Sequence, residues 1–386
     1  MYYHKLGEIP PKRHTQFRQP DGSLYKEQLV SSRGFSGIYS NLYHINEPTK
    51  VKKVLERVPF GHKLAKEHGL KQTHLKTSGV GVTGTDFLDA RKTLLANAQV
   101  SMAICSPSER TMDYFYKNAD GDEVIYMHDG SGWLISIFGK LRIKKGDYVV
   151  IPRTTIFKME FDEGPLRMLV IDSKSPIESP KRYRNELGQL MEHSPYCERD
   201  IHAPTELVIE KEPKETLIKI KKEGFLYPYL YDFSPLDVVG WDGFLFPYTF
   251  SIYDFEPITG RIHQPPPVHQ TFHAENAFVI CSFVPRLFDY HPLSVPAPYN
   301  HSNIDSDEIL YYAEGEFMSR KGIDRGSFTL HPGGLPHGPH PGTVEKSLGA
   351  KDTHEYAVML DTFHPLYVTE EGMKFVDKDY VYSWNE

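Results

Sequence analysis

Between residues 102 and 171 the chain runs in short apolar stretches broken by Gly, Asp and Pro, including 133–138, 148–151 and 166–171. Runs of this length, rich in β-branched and aromatic residues, predict strands joined by tight turns. The pattern resumes at 224–233 and 237–248, and again in the apolar run 277–284. Helical spacing is clearest early in the chain, where Phe87, Leu88, Arg91, Leu94, Leu95 and Ala98 recur behind a possible cap at Thr85 or Asp86. This predicts a helix over 85–100. A mixed polar stretch, 182–193, has room for a short helix. Residues 1–60 are polar and turn-rich with small aromatic patches, and read as an irregular arm or short strands lying on the body. No alternation of strands with long helices is visible. The expected class is therefore all-β, with two β-sandwich or barrel-like units and a few short helices. A Pro-, Glu- and Lys-rich connection spans 173–225, and the boundary is set near residue 205, where charge density rises. Residues 1–205 would hold the arm and one β unit, and 206–386 the other.

Spacing relates the two halves. Tyr116, Asn118, Glu123 and Gly130 stand 185 residues before His301, Asn303, Glu308 and Gly315. Gly146, Pro152 and Phe157 stand 180 residues before Gly326, Pro332 and His337. A repeat of this size implies one β unit used twice. The first copy has Tyr116 and Phe157 where the second has imidazoles, so only the second is equipped to bind a metal. Glu123 then reads as a structural, hydrogen-bonded carboxylate.

In that second copy the run 309–312 is apolar enough for a buried strand. The returning strand 326–332 ends in a Pro-Gly-Gly-Leu-Pro turn that aims His337 inward. His301, Glu308 and His337 together give two imidazoles and one carboxylate, with one face left open. Non-haem Fe(II) oxygenases use that ligand set. Asp307, next to Glu308, is the alternative carboxylate. The stiff loop from Arg261 to His269, with three consecutive prolines, adds His263 and His269. His340 follows two prolines in a polar loop and is expected to face solvent.

The 386 residues carry a net charge of −7 with both signs mixed along the chain, so the sequence offers no electrostatic footprint for nucleic acid. It has no apolar run of bilayer length and no apolar signal core at the N-terminus. Cys105, Cys197 and Cys281 are scattered singly, in keeping with a reducing cytoplasm and with buried small side chains.

The spacing from Gly326 through Pro332 and Gly334 to His337, with His301, Asn303, Glu308 and Gly315 before it, resembles the two motifs of the cupin superfamily. Asn303 stands where many cupins have a second His. More narrowly, the segments 115–122, 138–140, 237–243, 283–286, 298–303 and 336–339 resemble the homogentisate 1,2-dioxygenase family, in family order over roughly residues 100–345. The resemblance implies a bicupin fold whose first barrel is metal-free. It also implies Fe(II) on His301, Glu308 and His337, with O2 and an aromatic substrate as partners. His263 would act on the substrate hydroxyl, with His331 a further pocket residue. His269 is an alternative to His263, and Tyr299 a candidate substrate contact. Arg286 is a candidate for the substrate carboxylate by charge alone. The implied reaction opens the ring of homogentisate to maleylacetoacetate, in a cytoplasmic trimer or dimer of trimers. Three departures stand out: the His-to-Glu interval is one residue longer than is familiar, Ser302 replaces an Arg, and Phe317 replaces a Tyr. They leave open gentisate or another dihydroxylated aromatic acid as substrate, and also a non-catalytic cupin that only binds a metal or ligand.

Overall fold

In the computed structural model, which describes all residues except 1, 265, 316, 318–321 and 386, strands dominate. Among the described residues the one α-helix is Thr343–Ser347. Three large sheets carry the fold. The central one runs Ile201–His202, Tyr248–Ser251, Asp147–Ile151, Asp122–Asp129, Arg167–Ser173, Val100–Cys105, Arg91–Ala96 and Tyr367–Val368. A second sheet includes Gly139–Lys144, Ser131–Ser136, Phe157–Phe161, Phe115–Asn118, Thr216–Lys222 and Phe225–Tyr231, and closes the first barrel against it. The third sheet belongs to the second barrel. It runs Ile177–Glu178, Gln270–Ala274, Phe278–Phe283, Tyr356–Thr362, Asp307–Glu314, Phe328–His331, Thr73–Leu75 and Val376–Asp377.

The central sheet is buried on both faces, which explains its unbroken apolar runs. Along Asp122–Asp129, Ile125 and Met127 point into the first barrel, where Tyr116, Val149 and Phe157 also lie. Val124 and Tyr126 point the other way, into a core shared with Ile280, Ile309, Tyr311, Leu330 and Leu360 of the third sheet. Period-two alternation sorts the residues between two interiors rather than between interior and water. Each large side chain wholly buried there contributes on the order of 1.5–3 kcal/mol.

The arm over residues 1–60 forms short strands. His4–Gly7, Lys26–Ser31 and Tyr39–His44 join Val238–Gly243 in a four-stranded sheet. Strands also cross residue 205. Tyr248–Ser251 pairs with Asp147–Ile151 in the first barrel, and Thr73–Leu75 pairs with Phe328–His331 in the second.

Neither expected helix forms. Asp86 does cap a turn, accepting from the N–H groups of Leu88 and Asp89 at 2.7 and 2.9 Å, and Ala90 N bonds Asp86 O at 2.9 Å. That single turn then gives way to the strand Arg91–Ala96. A bulge between Thr93 and Leu95 shifts the register there, and the extra residue makes a two-residue period look helical in sequence. Over 182–193 the chain makes a 3-10 turn at Lys181–Tyr183. It then folds back through a loop bridged at Arg184 and Leu190, held by Asn185.

The repeat reappears as identical pairing. Glu123 lies opposite Ile151 and Tyr116 opposite Phe157, as Glu308 lies opposite His331 and His301 opposite His337. Gly130 and Gly315 end equivalent strands at φ +94° and +98°. A Cβ on Gly315 would come within 2.1 Å of the His354 carbonyl oxygen. Gly315→Ala is therefore expected to destabilise the protein by about 2 kcal/mol or more, from the positive φ and the clash together. Urea unfolding measures this, and a variant of unchanged midpoint would refute it.

Candidate metal centre

Residues of alternating parity on the strand Asp307–Glu314 have different fates. Ile309 and Tyr311 join the core between the barrels, whereas Glu308 points into the second barrel and is buried. Asp307 points away from it. Its two oxygens accept from the backbone N–H groups of Gly333 and Leu366, both at 2.7 Å. The same alternation turns His331 inward from Phe328–His331, so that its Nδ1 lies 2.9 Å from Glu308 Oε1.

His301 and His337 come together because their backbones exchange hydrogen bonds, at 2.8 and 2.9 Å. Their rings are 4.2 Å apart. In each, Nδ1 faces a carbonyl two residues earlier in the chain, Tyr299 O at 3.3 Å and Leu335 O at 3.2 Å. This fixes the tautomer with the proton on Nδ1 and leaves Nε2 as a lone-pair donor, the usual support for a metal-binding imidazole. Both Nε2 atoms point at Glu308, with distances of 3.3 Å from His301 and 3.4 Å from His337. One donor atom from each of His301, Glu308 and His337 lies within 4.8 Å of the others. The buried Nε2 of His337 has no hydrogen-bond partner. An unpartnered nitrogen facing a carboxylate and a second imidazole fits a divalent cation such as Fe(II). Burial alone would push the Glu308 carboxyl up, but the imidazoles of His301, His331 and His337 that converge on it outweigh burial and hold the group well below the usual carboxylate range.

His331 stacks on His337 with centroids 4.4 Å apart, and its Nε2 is 3.5 Å from the Tyr380 hydroxyl. Tyr299 is half exposed, with its ring 6.2 Å from that of His301 and 5.4 Å from that of His263. His263 is exposed at the rim, its Nδ1 3.2 Å from Asp289 Oδ2. His269 lies flat on Phe283, with ring centroids 4.7 Å apart. Burial and the nearby Arg286 push it down to about 3, so it stays neutral. Arg286 lies over the same Phe283 ring, 5.7 Å from its centroid. Phe317 packs on Tyr312 with centroids 4.7 Å apart.

His340 does not face solvent. It is buried, bonded through Nε2 to Ser383 Oγ at 2.8 Å and stacked on Trp384 at 4.5 Å. The 3-10 segment Tyr380–Asn385 thus folds under the site, which no local motif announces. Asp361 was also invisible in sequence. It lies opposite Glu308 on the neighbouring strand, and burial together with the Glu308 charge pushes it up to about 7. The first copy has the same pairing, with Asp172 opposite Glu123.

At the equivalent place in the first barrel a guanidinium stands among the acidic groups. Arg91 Nη1 is 2.7 Å from Glu123 Oε1, which also accepts from the Tyr116 hydroxyl at 2.8 Å and from Asn118 Nδ2 at 3.1 Å. Asp172 lies 3.6 Å from Arg91 and is paired with Lys221.

The family model for the N-terminal part of homogentisate 1,2-dioxygenase matches residues 13–252. Over its whole length the chain is 43% identical to a protein of Saccharolobus solfataricus, provisionally named a dioxygenase, of which 99% is covered. It is 27% identical to homogentisate 1,2-dioxygenase of Bradyrhizobium diazoefficiens, and 26% identical to that of Rhodopseudomonas palustris. Each of these alignments covers 98% of this chain and 90% of the relative. A cupin 2 conserved barrel domain protein from Leptotrichia buccalis overlaps with a TM-score of 0.34 at 11% identity, over 81% of this chain and 99% of that one. Among the described residues no helix is long and apolar enough to cross a membrane.

Proposed function

The chain belongs to the homogentisate 1,2-dioxygenase family, and from that premise we propose that it opens the ring of homogentisate with O2 to give maleylacetoacetate. His301, Glu308 and His337 would hold Fe(II). The observation that carries this reading is the buried three-donor cluster, in which the Nε2 of His337 is unpartnered and both imidazoles are braced through Nδ1. Bound there, Fe(II) supplies a redox centre at which a phenolic substrate and O2 react while the protein orients them and manages protons.

The chain's own part follows from the rim. Asp289 accepts from His263 Nδ1–H and so leaves Nε2 as the base for a substrate hydroxyl. Tyr299 lies between that base and His301 and would guide the aromatic ring edge-on. His331, wedged between Glu308 and Tyr380, would keep the carboxylate from rotating away.

The deciding experiment is anaerobic reconstitution with Fe(II) followed by homogentisate and O2, monitoring oxygen uptake and the ultraviolet absorbance of the ring-opened product. One O2 consumed per homogentisate, abolished by His337→Ala, is the expected result. Turnover of gentisate with homogentisate inert would leave the site standing and overturn the substrate. That second reading draws its support from Phe317, which sets a ring without a hydroxyl against Tyr312 where the family pattern has Tyr. In the same assay His263→Gln is expected to lower kcat by roughly 10²–10⁴-fold with iron content unchanged. A kcat within about twofold of the parent would remove His263 from the chemistry.

A further inference from the structure

A cleft of about 390 Å³ whose walls include none of the three-donor cluster is lined by residues from four separate stretches of the first half and by Arg325 of the second. Its walls include three arginines, Arg110, Arg167 and Arg325, against a single carboxylate, Asp129. Asp129 is already paired with Arg325. Arg110 and Arg167 have no ion pair among the described residues.

Neither guanidinium, the buried Arg167 nor the partly exposed Arg110, is held in the way usual for a charged group. Arg167 is 8% exposed and donates through Nη2 to Thr77 O at 2.9 Å and Gly326 O at 2.8 Å and through Nη1 to Ser78 O and Val80 O at 3.4 Å, with the Tyr311 hydroxyl beside it. Its Nε is buried without a partner. Arg110 donates through Nη2 to Gly164 O at 2.7 Å, and its Nη1 is likewise buried and unpartnered. The third orphan in the same wall is Nδ1 of His128, an imidazole that burial, then Arg325 and Arg167, push down to about 2. At neutral pH it therefore adds no charge. Buried cations normally have a charged partner, and buried donors normally have an acceptor. Here both are missing around one cavity.

We propose that this cleft binds a small oxyanion, a phosphate or carboxylate group, between Arg110 and Arg167 of the first barrel and Arg325 of the second. A carboxylate or phosphate presents oxygens in pairs to a guanidinium fork, which is the geometry arginine serves better than lysine. The cleft has room for an anion carrying a small organic body. Arg167 also grips the carbonyl of Gly326, two residues before the strand Phe328–His331. The ligand would thus tie the first barrel to the strand that carries His331. The proposal does not rest on the identity of the metal or of the substrate.

The test is a titration of the full-length protein with sodium phosphate, and separately with sodium succinate, at constant ionic strength set with NaCl. Thermal unfolding and calorimetry are the readouts. The expected result is a saturable rise in Tm with at least one of the two anions, as for any ligand selective for the folded state. Its apparent affinity should fall about tenfold or more in Arg110→Gln, and recover in part in Arg110→Lys. Response to phosphate alone, to succinate alone or to both identifies the ligand chemistry, and each of these supports the site. Arg110 is partly exposed and makes one hydrogen bond to a carbonyl, so its variants should fold, which the unliganded Tm checks. Arg325→Gln is the independent variant should they not. No shift beyond that of NaCl with either anion would overturn the proposal, as would a shift that survives both Arg110→Gln and Arg325→Gln.

Discussion

Replacement of Glu308 by alanine is expected to empty the centre of metal and to lower turnover by at least about a thousandfold. A bound metal contributes several kcal/mol of charge stabilisation in reactions of this kind, and each 1.4 kcal/mol is a factor of ten. The carboxylate is the one anionic donor in the cluster and the atom group on which His301, His331 and His337 converge. Its loss leaves imidazoles facing one another with no negative charge between them. The neighbouring substitution makes this a sharp test. Asp307→Asn should retain metal, because the Asp307 oxygens serve the N–H groups of Gly333 and Leu366 outside the barrel. His331→Gln should fall between the two, weakening metal affinity by about 10–100-fold, as expected for a residue that orients a ligand without being one. Metal content by mass spectrometry and oxygen uptake would be read on all three. Metal retained in Glu308→Ala but lost in Asp307→Asn would assign the carboxylate to the wrong residue.

The largest loss of stability is expected far from that centre, at Arg91. Truncation to alanine leaves Glu123 buried with no cation and Asp172 with Lys221 alone, at a cost of about 3–5 kcal/mol. The hydrogen bonds from Tyr116 and Asn118 do not compensate, since they were already made. Removing the charge and its partner together should behave differently. Arg91→Met with Glu123→Leu fills similar volume and leaves Asp172 to Lys221, so the double variant is expected to regain most of the loss. Urea unfolding of Arg91→Met, Glu123→Leu and the double variant gives the coupling directly. Metal content in all three should match the parent. A double variant no better than Arg91→Ala would mean that the pair is not balancing charge.

Much of the centre was legible before any fold was known, because a repeat fixes relative position as well as kind. The shared offsets of Tyr116 and Glu123 with His301 and Glu308, and of Phe157 with His337, correspond to identical strand pairings. Which of Asp307 and Glu308 lies in the cluster depends on the strand, since adjacent residues occupy opposite faces. Sequence reading failed where one local signal has two causes. The spacing of Leu94 and Leu95 suits a helix, but it comes from a bulge in a strand buried on both sides. It also failed where distant segments converge without a motif. Tyr380 and Trp384 reach the site only by docking the last residues of the chain. His340 was misjudged for the same reason, its cover lying more than forty residues downstream.

The exchange of strands between the halves has a consequence for how the protein can be made. In the central sheet Arg91–Ala96 is bordered by Tyr367–Val368, which leaves the ribosome about 270 residues later. Until then the N-terminal barrel has a raw edge, a row of unpaired backbone groups of the kind that recruits other chains. Translation therefore sets a waiting time during which about 270 residues are synthesised without that border. A transcript truncated shortly before residue 367 would yield a product with the edge permanently open, and its fate in the cell would be aggregation or capture by chaperones rather than reduced activity.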